Sequence, residues 1–232
     1  MKPSFIYFDL DNTLLDHNWA EEKAHQTVYQ STPELQKVPI EKWLETYQAI
    51  NHRLWLTYQS GEIDRFELQR GRFRKSMEDL GMDYTRSEEI GDSYMQQYRE
   101  HWNWIEGARE ALETISNSFE TGIITNGFRE TQNLKFDKLD IRRFCKHLVI
   151  SEEVGELKPH PKVFDHATGL AGVPREEILY IGDSHSSDIT GGHNAGWKTA
   201  WYLGNITRNG EAKIADLEFE EFGELIEFLD CA

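Results

Sequence analysis

The sequence predicts an α/β fold: a parallel sheet with helices on both faces, plus an inserted segment that is all helical. Two patterns predict it. From about residue 105 onward, short apolar runs alternate with helical stretches, which is typical of βαβ units and therefore of a parallel sheet. Between residues 17 and 100, apolar residues recur at helical spacing only. The predicted domains are a core of residues 1–16 and 101–232 and a helical insert of residues 17–100.

The first element is a buried-strand pattern, Phe-Ile-Tyr-Phe at residues 5–8, which stops at the carboxylate of Asp9. The insert follows, and its apolar spacing predicts four or five helices with breaks at Gly61 and Gly81. The run Thr32-Pro33-Glu34 predicts a helix start, because proline is favoured at the first helical position. No strand pattern interrupts these helices.

The rest of the chain alternates between strands and helices. Strands are predicted at residues 122–125, 147–150, 178–183 and 199–203, and helices at residues 107–117, 161–171 and 187–195, with one more helix between the first two of these strands. Residues 216–230 are acidic but carry spaced apolar residues, so part of this stretch is predicted to be a closing helix. The crossovers between parallel strands should be right-handed.

Composition limits the classes of function. The 232 residues carry a net charge of −16, which argues against nucleic-acid polymers as partners, because these need a basic surface. A small anionic substrate is compatible with this charge, since a bound divalent cation and one lysine can invert the local field. No run reaches the roughly 20 apolar residues of a membrane span, and the N-terminus has no signal-peptide pattern. Cys145 and Cys231 lack metal or disulfide spacing, which favours a reducing, cytoplasmic location.

Polar side chains gather at the predicted carboxyl ends of the strands, where open parallel sheets bind their ligands. They are Asp9, Asp11, Thr125, Asn126, Asp183 and Asp188, together with Lys158 in a loop before a helix. Each alone has an ordinary structural explanation, such as an acidic turn, a helix cap or a solvated surface lysine. Their combination, in this order and mostly after predicted strands, favours a functional site.

These residue types suit phosphoryl transfer. An aspartate carboxylate can attack phosphorus, and a second one can protonate the leaving oxygen and later take a proton from water. A hydroxyl and backbone N–H groups at a strand end can hold phosphate oxygens, and a lysine can neutralise charge in the transition state. A further aspartate completes an oxygen-rich Mg²⁺ site.

In this set of motifs the chain resembles the haloacid dehalogenase superfamily. The signature of that superfamily is DxDx[TV], a hydrophobic strand ending in Ser or Thr, a lysine, and an acidic GDxxxD or GDxxxxD motif. The matching residues are Asp9-Leu10-Asp11-Asn12-Thr13, Thr125, Lys158 and Gly182-Asp183-Ser184-His185-Ser186-Ser187-Asp188. The resemblance implies a Rossmann-like core with a helical cap inserted between the first two motifs, so that the insert of residues 17–100 is the cap.

The resemblance also implies roles for the chemically active residues of these motifs. Asp9 would be the nucleophile and Asp11 the general acid and base. The Asp9 carboxylate, the Asp11 main-chain carbonyl and Asp183 would hold Mg²⁺. Thr125 and the backbone N–H of Asn126 would hold the phosphate, which Lys158 would steady together with the nucleophile. Asp188 would orient that lysine or support the metal site.

Asp11 decides between two branches of the superfamily. Its dehalogenases lack the second aspartate, so the presence of Asp11 favours a phosphatase. Further stretches are similar to the bacterial pyrimidine 5′-nucleotidase branch, namely residues 47–51, 54–55, 58–61, 68–73, 125–128, 150–155, 187–189 and 191–192. That similarity implies a nucleoside 5′-monophosphate as the substrate.

Other functions stay open on the sequence. One alternative is a phosphatase or phosphomutase for a sugar phosphate or for phosphoglycolate. Another is a phospho-accepting signalling receiver, although receivers are about half this length, lack a cap and carry these residues in a different order. A third is a protein that only binds phosphate compounds. The natural substrate, the cap residues that select it, the oligomeric state and the role of His185 are not predicted.

Overall fold

The structure is a computed structural model that describes residues 2–204 and 210–231. It separates into two compact units. One consists of Met1–Asp16 with Asn103–Ala232, and the other of His17–Trp102.

The first unit is built on a six-stranded sheet in which every pairing is parallel. Its strands are β1 Phe5–Phe8, β2 Glu120–Thr125, β3 His147–Ile150, β4 Ile178–Gly182, β5 Lys198–Tyr202 and β6 Leu217–Phe219. Their order across the sheet is β3-β2-β1-β4-β5-β6, so the first strand of the chain lies between β2 and β4. The predicted parallel α/β fold with a Rossmann-like core is confirmed.

The second unit is helical. It contains α1 His17–Ser31, α2 Ile40–Gln59, α3 Arg65–Asp79 and α4 Ser87–Glu100, with one 3₁₀ turn at Leu35–Lys37. No strand occurs within residues 17–102, all of which the structure describes. The interior of this unit is aromatic, because the rings of Tyr47, Phe73 and Tyr94 all pack around His25. Tyr47, Phe73 and Tyr94 therefore belong to a packed core.

The helices of the first unit cover both faces of its sheet. They are α5 Ala108–Ser118, α6 Arg129–Lys138, α7 Ser151–Val154, α8 Pro161–Ala171, α9 Thr190–Asn194 and α10 Phe222–Leu229. Side chains alternate along a strand, so Ile6 and Phe8 pack on one face with α5 and α10. Phe5 and Tyr7 pack on the other face with α8. No helix within residues 2–204 and 210–231 has both the length and the apolar character needed to cross a membrane.

One prediction about the helices and strands is wrong. Thr32-Pro33-Glu34 is not an α-helix start, because α1 runs to Ser31 and α2 begins only at Ile40. Proline also suits turns, and here it lies in the turn before the 3₁₀ segment. The closing helix predicted within residues 216–230 is confirmed as α10. The same stretch also contains β6, whose three residues are too few to display strand alternation. The helix predicted around residues 187–195 is confirmed, and its first part, His185–Ile189, is a π-helix that continues into α9.

Candidate active site

Three strands bring the predicted site residues together. Phe8, at the end of β1, is paired with Ile123 of β2 and with Ile181 of β4. Asp9 therefore leaves the sheet between Thr125, the last residue of β2, and Asp183, which follows β4. The carboxyl ends of parallel strands lie at one edge of a sheet, which is where ligands bind in such folds.

Lys158 lies at the centre of this group. Its Nζ donates to Asp9 Oδ1 at 2.5 Å and to Asp188 Oδ1 at 2.8 Å. It also reaches the Tyr180 hydroxyl at 2.7 Å and the Ile124 carbonyl oxygen at 3.1 Å. The lysine side chain is only 2% exposed, so this is a buried and fully engaged ammonium group rather than a surface lysine.

Asp9, Asp183 and Asp188 form an acidic cluster. One carboxylate oxygen from each lies within 4.8 Å of the others, which is a spacing that a single metal ion can bridge. Thr13 closes one side, because its hydroxyl donates to Asp183 Oδ1 at 3.2 Å and lies 3.4 Å from Asp9 Oδ2. Asp188 is held in place by the backbone N–H of Ser184 at 3.0 Å.

Burial and charge act on these groups in opposite directions. Burial raises the pKa of Asp9 to about 7, while Lys158 opposes this shift and Asp188 adds to it. Burial, with the charges of Asp9 and Asp188, raises the pKa of Asp183 well above its ordinary range. Burial alone would lower the pKa of Lys158, but Asp188 and Asp9 raise it above its usual value. A cation bound between the carboxylates would lower the pKa values of both aspartates, because it favours their charged forms.

The carboxylate of Asp11 lies beside a different lysine. Lys135 Nζ contacts Asp11 Oδ1 at 2.6 Å, and Gln132 Nε2 donates to Asp11 Oδ2 at 3.0 Å. Both partners come from α6, where they are three residues apart and lie on one face. Gln132 Nε2 also lies 3.1 Å from the hydroxyl of Thr125. The predicted acid and the predicted phosphate ligand are therefore linked through one amide.

Asn126 has a positioning contact that the sequence did not suggest. Its side-chain oxygen accepts from the backbone N–H of Lys158 at 2.8 Å and from the Ser151 hydroxyl at 2.7 Å, and its amide donates to the Lys158 carbonyl oxygen at 3.0 Å. The loop that carries Lys158 is thereby attached to the end of β2.

His185, which lies within the acidic motif, is directed away from the acidic cluster, since its Nε2 lies 2.9 Å from the Ala212 carbonyl oxygen.

The structure gives contacts in the site to polar residues that the sequence analysis left without a role. Thr13 closes the DxDx[TV] motif, so the motif itself contained the signal. For Gln132 and Lys135 the sequence contained only a weak signal, namely that they are polar residues on the inner face of a helix between two core strands. Glycine is required at position 182 because the backbone there packs closely against Asp188: a Cβ would lie 2.6 Å from the carboxyl carbon of Asp188.

The fold and these side chains define a parallel α/β protein with an acidic, lysine-containing site at the carboxyl edge of its sheet. The chain belongs to the haloacid dehalogenase-like hydrolase family, whose family model matches residues 6–202. This confirms the superfamily resemblance drawn from the four motifs.

Relatives of this chain include enzymes with different named substrates. The chain is 35% identical over 209 residues to the pyrimidine 5′-nucleotidase YjjG of Escherichia coli, which covers 87% of this chain and 86% of that protein. It is 29% identical over 225 residues to the glyceraldehyde 3-phosphate phosphatase of Pyrococcus furiosus, an alignment that covers 95% of this chain and 87% of that protein. A crystal structure of the HAD-hydrolase YfnB from Bacillus subtilis bound to magnesium superposes with a TM-score of 0.85 at 27% identity, covering 99% of this chain and all of that one.

Family and relatives together confirm the predicted enzyme class, a phosphoric monoester hydrolase. The similarity to the pyrimidine 5′-nucleotidase branch is also confirmed, as a similarity. The family hydrolases generally use Mg²⁺, and the acidic cluster and the magnesium-bound relative agree with this.

Proposed function

We propose that this chain is a Mg²⁺-dependent phosphatase that hydrolyses a nucleoside 5′-monophosphate through an aspartyl-phosphate on Asp9. The observation that supports it most is the position of the Asp9 carboxylate. It is buried at the end of the central strand β1, bonded to the ammonium of Lys158, and grouped with two further carboxylates. A nucleophile, a charge-neutralising lysine and a set of hard oxygen ligands are the requirements of this chemistry.

The donor set fits a magnesium ion. Three carboxylates whose oxygens lie within 4.8 Å of one another provide oxygen ligands only, which Mg²⁺ prefers over nitrogen and sulfur. Asp9, the main-chain carbonyl of Asp11 and Asp183 are the proposed ligands, and Asp188 supports the site while it orients Lys158. Bound there, the ion would supply positive charge against the phosphate oxygens and the carboxylates.

The proposed reaction has two steps. In the first, a carboxylate oxygen of Asp9 forms a bond to phosphorus, the bond from phosphorus to the leaving oxygen breaks, and the Asp11 carboxyl group gives its proton to that oxygen. In the second, water attacks phosphorus and gives a proton to the Asp11 carboxylate, and the bond from Asp9 to phosphorus breaks. Asp9 and Asp11 return to their starting forms.

Thr125 and Asn126 are the proposed phosphate ligands. Thr125 is 1% exposed at the end of β2, and its hydroxyl lies close to the amide of Gln132. The backbone N–H of Asn126 is the proposed second donor, while its side chain already holds the Lys158 loop. Lys158 would steady both Asp9 and the phosphate.

The nucleotide substrate is supported by the similarity to YjjG, which extends over most of both chains. The second candidate substrate is a small sugar phosphate, which the similarity to the archaeal glyceraldehyde 3-phosphate phosphatase supports over nearly the whole chain. A cytoplasmic location is also part of the proposal, since Cys145 and Cys231 are both free thiols.

A panel of phosphate esters, assayed for released phosphate with Mg²⁺ and with EDTA, tests this function. We expect turnover of nucleoside 5′-monophosphates, pyrimidines first, that disappears in EDTA. A preference for sugar phosphates would remove the nucleotidase proposal and leave the phosphatase. No more than one phosphate released per chain would favour the receiver alternative.

Asp9→Asn tests the covalent step. Its amide is a poor nucleophile, so phosphate release should fall by at least about 10³-fold. The matched control is Asp165→Asn, an exposed aspartate on α8 that makes a surface ion pair with Arg175. Normal turnover by Asp9→Asn would reject the proposed mechanism, whatever the substrate.

A further inference from the structure

The inner face of α6 carries two buried polar side chains at a place where a core helix is expected to be apolar. Its buried residues are Gln132, Lys135 and Phe136, and the Lys135 side chain is only 2% exposed. A buried ammonium group is unfavourable unless it is paired. Lys135 is paired with Asp11, at 2.6 Å, and this pair joins residues 124 positions apart in the chain.

Gln132 extends the same contact toward the end of β2. Its Nε2 lies 3.0 Å from Asp11 Oδ2, 3.1 Å from Thr125 Oγ1 and 3.4 Å from the Asn126 carbonyl oxygen. Its Oε1 is buried and has no hydrogen-bond partner within residues 2–204 and 210–231. The amide is therefore held through its nitrogen, which faces three acceptors at the proposed site.

The Asp11 main chain is fixed separately from its carboxylate. The N–H of Asn12 donates to the Leu15 carbonyl oxygen at 2.7 Å, and Asp11 forms an isolated bridge with Leu15. This turn sets where the side chain of Asp11 begins. The two side-chain torsions are left to be determined by what the carboxylate contacts, and both of its oxygens contact α6.

Resting on the proposed function, we propose that Lys135 and Gln132 are positioning residues for Asp11. Together they direct the carboxylate of Asp11, the proposed general acid and base, toward the bond that breaks. They also keep this carboxylate at a fixed position relative to the phosphate ligand Thr125. Neither residue belongs to the four motifs. A displacement of about 1 Å of a reacting group can cost about 100-fold in rate, so a clamp on this carboxylate would have a large effect on turnover.

Lys135→Met tests the clamp, because it keeps the length of the side chain and removes the ammonium group. We expect kcat for an alkyl phosphate, such as a nucleoside 5′-monophosphate, to fall by about 10- to 100-fold, with KM changed less than threefold or so. The loss with p-nitrophenyl phosphate should be much smaller, because its leaving group needs little help from an acid. Lys138→Met, an exposed lysine one turn along α6, is the matched control and should behave as wild type.

A double-mutant cycle shows whether Lys135 acts through Asp11. In an Asp11→Asn background, Lys135→Met should produce little further loss of kcat for the alkyl ester. A full, additive loss in that background would overturn the proposal. Lys135→Arg keeps the charge and should recover part of the rate, which a merely structural role in packing would not predict.

Gln132→Leu provides the second measurement and leaves no unpaired buried charge, so it carries the test if Lys135→Met does not fold. It should show the same selective loss on alkyl esters, measured per folded protein. Equal losses on both esters in both variants would overturn the proposal. If the wild type and Asp9→Asn differ as expected while Lys135→Met and Gln132→Leu match the wild type, only this inference fails. If the wild type releases no phosphate from any ester, the proposed function itself fails.

Discussion

Replacement of Lys158 by methionine should destabilise the sheet-containing unit strongly in the absence of metal. The ammonium group is bonded to Asp9 Oδ1 at 2.5 Å and Asp188 Oδ1 at 2.8 Å, and these side chains are 8% and 1% exposed. Removal of one partner from such a buried pair costs about 3–5 kcal/mol, because the remaining charge stays buried without compensation. A chain of this size loses about 2–4 °C per kcal/mol, so we expect the melting temperature to fall by about 6–20 °C.

The measurement is thermal unfolding of wild type and Lys158→Met in EDTA, followed by circular dichroism and by calorimetry. Lys162→Met is the control, since that lysine lies four residues further on and is exposed. Addition of Mg²⁺ should narrow the gap between wild type and Lys158→Met, because the cation supplies positive charge to the same carboxylates. A fall of less than about 2 °C in EDTA would show that the ammonium does not compensate the buried carboxylates, and would refute this reasoning.

Three further predictions concern the same site. Because burial raises the pKa of Asp9 to about 7, the folded state binds an extra proton between about pH 4 and 7. In EDTA, the melting temperature of the wild type relative to that of Asp9→Asn should therefore fall as the pH rises through this window. A difference in melting temperature that does not change with pH would contradict this. Asp11→Asn should slow alkyl phosphates far more than p-nitrophenyl phosphate, and steady-state kinetics with equal losses would count against an acid role. Gly182→Ala should lower the free energy of unfolding by about 1–3 kcal/mol, because the added Cβ crowds the Asp188 carboxylate. Gly169→Ala, which has open space at its Cβ, should leave this free energy unchanged or raise it. Urea titrations that give the same sign of change for both variants would show that the close approach of Gly182 to Asp188 is unimportant.

The motif residues could be recognised from sequence because each motif is short and lies beside a strand pattern. Asp9 follows four apolar residues, and Asp183 follows five strand residues that end at Gly182. Parallel strands place their carboxyl ends at one edge, so local patterns were sufficient to predict that these aspartates would meet there. The strand order, with β1 between β2 and β4, makes the meeting possible in space.

Other features of the site could not be derived in this way. The sequence resemblance gave Asp188 a choice of roles, and the structure shows it bonded to Lys158 and grouped with Asp9 and Asp183. The resemblance gave Asn126 a role through its backbone N–H only, and the structure shows that its side chain also holds the Lys158 main chain across 32 residues. Such contacts depend on loop conformations that no residue pattern encodes.

The sequence by itself determined the α/β class, the all-helical character of residues 17–100 and the identity of the motif aspartates, because apolar periodicity and short motifs are local properties of the chain. Only the tertiary structure decided that Lys135 and Gln132 contact Asp11, and that Lys158 is bonded to two carboxylates at once. The physical reason is that a lysine looks the same in sequence whether it is solvated or buried. Its role is set by which distant carboxylate the packing of the helices and loops brings against it.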